Sequence, residues 1–131
     1  MRIYLDTSAL VKLVVAEDES QALQHFLGAH AADSLFSSAL ARTELIRAVA
    51  PNGAPAITDA RNLLNKLDTV MLTRQLLDDA GIMLPLRLRS LDAIHLAAAQ
   101  RAGEALRAVI TYDFRMLSAA ADLGIPTATP R

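Results

Sequence analysis

The sequence predicts an α/β/α sandwich, an α/β fold in which a central, mostly parallel β-sheet is flanked by helices. Short apolar segments alternate with longer segments whose apolar residues recur at helical spacing, and this alternation is typical of parallel sheets covered by helices. The chain has 131 residues, 53% of them hydrophobic, which suffices for one domain with a sizeable core. The loop-like clusters are too short to separate domains, so we expect a single domain over residues 1–131.

The predicted elements alternate along the chain. The predicted strands are RIYL (2–5), SLFSS (34–38), DTVMLT (68–73), AVIT (108–111) and, at an edge of the sheet, IPTAT (125–129). The predicted helices are SALVKLVVAED (8–18), ESQALQHFLGAHA (19–31), ALARTELIRAVA (39–50), PAITDARNLLNKL (55–67), TRQLLDDAGIM (73–83), SLDAIHLAAAQRAG (90–103) and FRMLSAAADLG (114–124). Thr7 or Ser8 is expected to cap the first helix, and Pro51, Asn52 and Gly53 are expected to end the third.

Composition excludes several kinds of site. Without cysteine, the chain has no disulfide, thiolate metal site or thiol nucleophile. Its 13 basic and 14 acidic residues give a net charge of −1, so any contact with nucleic acid requires a local basic patch. No segment approaches the ~20 apolar residues that span a bilayer, and Asp6 interrupts the apolar start where a signal peptide needs an unbroken run. We expect a cytoplasmic protein.

Two predicted strands lead into an aspartate. RIYL is followed by Asp6, and AVIT is followed, two residues on, by Asp113. In folds of this class, sites form outside the carboxyl ends of the parallel strands. If the first and fourth strands are neighbours, both carboxylates open onto one edge of the sheet.

Two further acids stand out by position. Glu44 borders an apolar stripe in the third predicted helix, and Asp92 lies in the first turn of a helix so rich in alanine that it must pack closely. Carboxylates gathered at one edge raise each other's pKa, and the usual remedy is a cation. Oxygen ligands suit Mg²⁺ or Mn²⁺, which bind phosphate oxygens and activate water. The pattern favours metal-assisted cleavage of a phosphodiester.

Each acid also has a structural interpretation. Asp113 can cap the helix that follows it, and Asp6 can serve the first helix, although the hydroxyl residues after it are better placed. Asp92 is a favourable first-turn acid, stabilised by the helix dipole at ~0.3–1 kcal/mol. Glu44 can lie on a solvated face beside neighbouring arginines. Periodicity alone does not decide between these roles and catalysis.

Histidines and arginines are secondary candidates. His95 lies three residues after Asp92, where it can orient that carboxylate or donate to phosphate, although a packed structural role is favoured. Several arginines can hold phosphates or be ordinary surface residues, and Arg115 ranks slightly above the others because it is close to Asp113. These arginines are Arg42, Arg47, Arg87, Arg89 and Arg115.

Four segments, in order, resemble the motifs of PIN-domain ribonucleases, most closely the VapC-type toxins of bacterial toxin–antitoxin pairs. The segments are YLDTSALVKL, ARTELIRA, SLDAIHLAAA and ITYDFRML, and the resemblance extends over essentially the whole chain. It implies an acidic cluster that binds Mg²⁺ or Mn²⁺ and catalyses hydrolysis of RNA. By resemblance the catalytic metal ligands are Asp6, Glu44, Asp92 and Asp113. Ser8 and Thr111 match supporting polar residues that hold carboxylates, water or phosphate.

The resemblance also implies partners. Besides the RNA substrate, we expect an antitoxin protein whose carboxyl-terminal segment lies along the toxin and blocks the acidic pocket, often through a basic residue. A homodimer, or a larger toxin–antitoxin assembly, is the expected form.

Two other interpretations stay open. A phosphohydrolase of the haloacid-dehalogenase type also begins with an aspartate after an apolar strand, but it needs a second aspartate two residues later, where this chain has Ser8. The stronger alternative is a non-catalytic PIN-like module that binds RNA or a protein partner, with the acids only capping helices.

Overall fold

The computed structural model describes every residue from Met1 to Arg131. Its centre is a sheet of five strands. The strands are β1 (Arg2–Leu5), β2 (Ser34–Ser38), β3 (Asp68–Val70), β4 (Leu106–Ile110) and β5 (Thr127–Ala128). They lie in the order β3-β2-β1-β4-β5, and every neighbouring pair is parallel. The central strand β1 is apolar without alternation from Ile3 to Leu5, as a strand covered on both faces requires.

Seven α-helices cover the two faces of the sheet. They are α1 (Thr7–Val14), α2 (Ser20–Ala29), α3 (Ala41–Val49), α4 (Ala54–Lys66), α5 (Arg74–Gly81), α6 (Ser90–Gln100) and α7 (Phe114–Asp122). Helices α1 to α4 share one core with Ile3 and Leu5, whereas α5 to α7 share the other with Tyr4 and Phe36. None of the helices is long and apolar enough to span a membrane. The predicted α/β/α sandwich is confirmed, with an entirely parallel sheet.

The pairing of β1 with β4 brings the ends of these strands together. Tyr4 pairs with Val109 and Leu5 pairs with Ile110. Beyond the last pair, the backbone N–H of Asp6 donates to the carbonyl of Ile110 at 3.2 Å. The first and fourth strands are therefore neighbours, which meets the condition for both carboxylates to open onto one edge of the sheet.

The start of α1 differs from the prediction. Its N-cap is Asp6, whose carboxylate accepts a hydrogen bond from the backbone N–H of Ala9 at 2.9 Å. The prediction that Thr7 or Ser8 caps this helix is wrong, because the hydroxyls of both residues donate to carboxylates instead. The last predicted strand is correctly placed at an edge, but only Thr127–Ala128 pairs with β4.

The alanine-rich helix α6 packs closely, as its composition predicts. Ala97, Ala98 and Ala99 are almost completely buried in a helix that contacts β2, β4 and α5. Small side chains at these positions allow the helix axis to approach the sheet closely. The same close approach leaves no space for a larger residue.

We expect Ala98→Leu to lower the free energy of unfolding by about 1–3 kcal/mol, because the extra carbons must displace close-packed neighbours. Chemical denaturation would measure the change. Ala121→Leu, at an exposed position of α7, is the matched control and should stay within about 0.5 kcal/mol of the unsubstituted protein. Equal stability of the two variants would contradict the close packing of α6.

Candidate active site

Asp6 lies at the end of the central strand and is only 3% exposed. Its Oδ1 accepts hydrogen bonds from Ser8 Oγ at 2.6 Å and from the backbone N–H of Ala9 at 2.9 Å, and its Oδ2 accepts one from Thr111 Oγ1. Burial raises the pKa of Asp6, while these hydrogen bonds oppose the rise because they stabilise the charged form. The carboxylate is thereby held in one orientation by residues from both strand ends.

Thr111 connects Asp6 to Asp113. Its hydroxyl donates to the Asp6 carboxylate and accepts a hydrogen bond from the backbone N–H of Asp113 at 3.1 Å. Asp113 is the N-cap of α7, since its Oδ1 accepts from the backbone N–H of Arg115 at 2.8 Å. The hydroxyl of Ser8 lies 3.5 Å from that of Thr111. Asp113 therefore has the capping role that the sequence left open, and this role coexists with a position beside the buried aspartate.

Arg89 bridges Asp92 and Asp113. Its Nε lies 3.3 Å from Asp92 Oδ2, and its Nη2 lies 3.5 Å from Asp113 Oδ2. The arginine side chain is 60% exposed, whereas the two carboxylates are 15% and 30% exposed. Exposed ion pairs contribute little to stability. The main effect of Arg89 is therefore to balance the charge of two neighbouring carboxylates.

Glu44 lies on α3 and turns toward the protein interior. Its Oε1 accepts hydrogen bonds from Thr7 Oγ1 at 2.7 Å and from His95 Nε2 at 2.6 Å. Partial burial alone would raise the pKa of Glu44, but these two hydrogen bonds hold it below its usual value. The interpretation that places Glu44 on a solvated face is wrong, because the side chain pairs with a histidine of α6.

His95 is buried between Tyr4 and Glu44. The Tyr4 hydroxyl lies 2.6 Å from His95 Nδ1, and the backbone N–H of Ser38 donates to the same hydroxyl at 3.2 Å. Burial raises the pKa of Tyr4 far above its usual value, so the hydroxyl keeps its proton. Because the lowered pKa of Glu44 keeps its carboxylate charged, Nε2 must carry a proton and donate it to Oε1. In a neutral ring, Nδ1 then has no proton and accepts from the Tyr4 hydroxyl. His95 is a packed histidine, as predicted, but it orients Glu44 and not Asp92.

The four predicted acids lie around the carboxyl edge of β1 and β4 in two hydrogen-bonded groups. The first group contains both strand-end aspartates and, through Arg89, Asp92. The second contains Glu44 and His95. The structure contains no group of three or more His, Asp or Glu side chains that lie close enough to hold one metal ion together. The acids are paired with cationic or hydrogen-bonding side chains of the protein itself.

Sequence reasoning missed two of these pairings. It ranked Arg115 above the other arginines, whereas the guanidinium that contacts the acids belongs to Arg89. The i to i+3 spacing of Arg89 and Asp92 is a readable signal. The pairing of Glu44 with His95 joins residues 51 positions apart. Helical periodicity carries no information about such a contact.

Comparison with known proteins identifies the family. The family model for the PIN domain matches residues 3–122. The chain belongs to the PIN-domain family. The resemblance found in the sequence motifs is confirmed, and the match includes all four acids.

Named relatives of this PIN domain are VapC ribonucleases. Ribonuclease VapC46 of Mycobacterium tuberculosis (strain H37Rv) is 48% identical over 98% of this chain and 97% of that protein. Ribonuclease VapC47 of the same species (strain CDC 1551) is 45% identical over 98% of this chain and 96% of that protein. The fold is also similar to the crystal structure of M. tuberculosis VapC20, described as a sarcin–ricin loop cleaving toxin, with a TM-score of 0.77. The matched region covers 98% of this chain and 99% of the VapC20 chain. At 16% identity this likeness shows the fold alone.

The donors of this PIN domain fit a hard divalent ion by their chemistry. The side chains at this edge offer carboxylate and hydroxyl oxygens, and Mg²⁺ and Mn²⁺ prefer oxygen ligands. Glu44 engages only Oε1 and Asp92 engages only Oδ2, so each keeps a carboxylate oxygen without a hydrogen-bond partner. Arg89 stands between two of the acids, and its exposed side chain can rotate to another position. A shared ion would replace the charge that Arg89 now supplies.

A cavity of about 370 Å³ opens beside the acids of the PIN domain. Asp92 lines it together with Arg87, Arg89, Arg115 and Phe114. Three arginines therefore lie at one opening although the whole chain carries a net charge of −1. This is the local basic patch that binding of a nucleic acid would require.

We expect Tyr4→Phe to lower the free energy of unfolding by about 1–3 kcal/mol, because it leaves His95 Nδ1 and the Ser38 N–H buried without a partner. Urea denaturation would measure the loss. The control is Tyr112→Phe, since the Tyr112 hydroxyl donates only to the carbonyl of Pro130 in a partly exposed position. If Tyr4→Phe lowered the free energy of unfolding no more than Tyr112→Phe, the buried hydrogen bonds of the Tyr4 hydroxyl would not contribute to stability as expected.

Proposed function

We propose that residues 1–131 form a single PIN domain that is a metal-dependent endoribonuclease, hydrolysing RNA phosphodiester bonds, and the toxin of a toxin–antitoxin pair. Its relatives VapC46 and VapC47 are named ribonucleases, and VapC20 is described as a toxin. The observation that carries the proposal is the position of Asp6, held by Ser8 and Thr111 at the edge where the other acids gather.

A set of four acids is proposed to hold the ion. These residues are Asp6, Glu44, Asp92 and Asp113, and the ion is Mg²⁺ or Mn²⁺. When bound, such an ion supplies positive charge to the phosphate and lowers the pKa of water, so that water can attack phosphorus at neutral pH. The surrounding side chains would position the ligands and bind the RNA.

Hydroxyls and a histidine position the proposed ligands. Ser8 and Thr111 fix the two oxygens of Asp6, and this orientation precedes ion binding. His95 fixes Oε1 of Glu44 and leaves its other oxygen available. With an ion held by the acids, Arg89 would be free to hold a phosphate oxygen of the RNA. The protein thus holds Asp6 and Glu44 in fixed orientations, whereas Arg89 must move before the acids can share an ion.

We also propose an antitoxin protein as partner and a homodimer as the form of the toxin. The connection between α5 and α6 exposes large apolar side chains, among them Ile82, Leu84 and Leu86. Exposed apolar side chains this close together are a common mark of protein interfaces. An antitoxin segment that reaches from this surface to the acids would cover the cavity beside Asp92.

A non-catalytic module that binds RNA or a protein partner is the alternative. It is favoured by the structural roles of the acids, because Asp6 and Asp113 cap helices and Glu44 pairs with His95. Such a module should bind RNA equally well with and without Mn²⁺. The affinity of such a module for RNA should also be unchanged by Asp6→Asn.

We expect Asp6→Asn to reduce cleavage of RNA at least about 100-fold, because loss of a ligand costs at least as much as loss of a residue that supports one. Purified protein free of antitoxin would be incubated with total cellular RNA and Mg²⁺ or Mn²⁺, and with EDTA. Glu44→Gln, Asp92→Asn and Asp113→Asn should act in the same direction.

The control for these variants is Asp59→Asn, an exposed position of α4. It should cleave like the unsubstituted protein. Discrete fragments that require the metal and disappear in Asp6→Asn would support the ribonuclease. Full activity of both Asp6→Asn and Asp92→Asn at equal metal concentration would contradict the proposal that these acids hold the catalytic ion.

We expect Ser8→Ala and Thr111→Val each to weaken Mn²⁺ binding about 10- to 100-fold, because Asp6 would lose a group that fixes its orientation. Isothermal titration calorimetry measures this without any substrate. Thr58→Val, in α4 and outside the hydrogen-bonded groups, serves as control. Unchanged affinity in both hydroxyl variants would show that Asp6 does not depend on them.

A further inference from the structure

The cavity beside the acids has an arginine-rich lining. Arg87, Arg89 and Arg115 contribute to it, and Asp92 is the one acid among the lining residues. Arg89 is paired with acids, but Arg87 and Arg115 are exposed and form no ion pair. Two free guanidinium groups at one opening suit an anionic ligand with more than one charged group.

An exposed aromatic ring lies at the same opening. Phe114 follows Asp113 directly and is 74% exposed, whereas Phe36 is completely buried. The ring is not used by either core. The guanidinium of Arg131 lies 5.8 Å from its centroid, which adds a further positive charge nearby. An aromatic face surrounded by arginines offers both stacking and charge.

We propose that this cavity is the subsite for an unpaired nucleotide of the RNA, placed next to the bond that is cut. The base stacks on Phe114, and Arg87 and Arg115 hold the phosphates on either side of it. This inference rests on the proposed ribonuclease function and names the part of the substrate that the site recognises.

The geometry favours an unpaired nucleotide over a duplex. A base within a helix has both faces covered by its neighbours, so only an unstacked base can lie against a side-chain ring. A cavity of about 370 Å³ is of the size that encloses a small ligand and is too small for a double helix. The side chain of Asp92 belongs to both the cavity and the acidic group, so a nucleotide bound here has its phosphate at the acids.

The test is binding of a labelled single-stranded oligoadenylate to the full chain, measured by fluorescence anisotropy in EDTA. Without metal, binding is read separately from cleavage. We expect Phe114→Leu to weaken binding about 5- to 150-fold, the range found for loss of one stacked base. Phe114→Trp should bind like the unsubstituted protein, because it keeps an aromatic face.

The charge contribution has its own measurement. Arg87→Gln and Arg115→Gln should each weaken binding and reduce the slope of log K against log salt by about 0.7, the value for one phosphate contact on a single strand. Arg61→Gln, exposed on α4 at the opposite face of the sheet, is the matched control and should leave the slope unchanged. Duplex RNA of the same sequence should bind equally to Phe114→Leu and to the unsubstituted protein.

The outcomes separate the two proposals. If RNA is cleaved with metal but Phe114→Leu, Arg87→Gln and Arg115→Gln bind oligoadenylate like the control, the subsite is overturned and the ribonuclease stands. If the variants lose binding while no RNA is cleaved, the cavity binds a nucleotide as proposed, but the ribonuclease fails and the cavity is not a subsite for cleavage. If oligoadenylate binds to no form, whereas an oligoglutamate peptide binds in a manner that depends on Phe114, the cavity is a peptide site and the proposal is wrong.

Discussion

A buried carboxylate at the end of the central strand is the constraint on which the rest of the site depends. Removing a charged group from water is costly unless hydrogen bonds replace the water. The carboxylate of Asp6 accepts such hydrogen bonds from Ser8 and the backbone of Ala9, which follow β1, and from Thr111, which follows β4. The same contacts start α1 and place Asp113 nearby. One carboxylate thus links the strand register, a helix start and the acidic edge.

The remaining acids are balanced by the protein's own groups. Arg89 lies between Asp92 and Asp113, and His95 donates to Glu44. Each of these carboxylates has a cationic or hydrogen-bonding partner, so they can lie close together at one edge of the sheet. This pairing also means that the side chains which compensate the acids are the ones that must yield or reorient when an ion or a phosphate arrives.

The sequence predicts the fold and the neighbourhood of the acids well, because both follow from local patterns. Alternating apolar segments indicate a parallel sheet, and the endings at Asp6 and Asp113 indicate a shared edge once β1 and β4 are neighbours. The partners of Glu44 could not be predicted, since His95 reaches it from a helix on the other face of the sheet. The N-cap of α1 was misassigned because Thr7 and Ser8 have the usual capping side chains, and their use by carboxylates is a tertiary effect.

The hydrogen-bonded chain from Ser38 through Tyr4 and His95 to Glu44 crosses from one core of the protein to the other. Glu44 is therefore held through His95 and Tyr4 by the sheet as well as by its own helix. The exposed side chain of Arg89, by contrast, reorients within nanoseconds. The acidic edge therefore combines a carboxylate held by buried partners with an exposed guanidinium that can change its position.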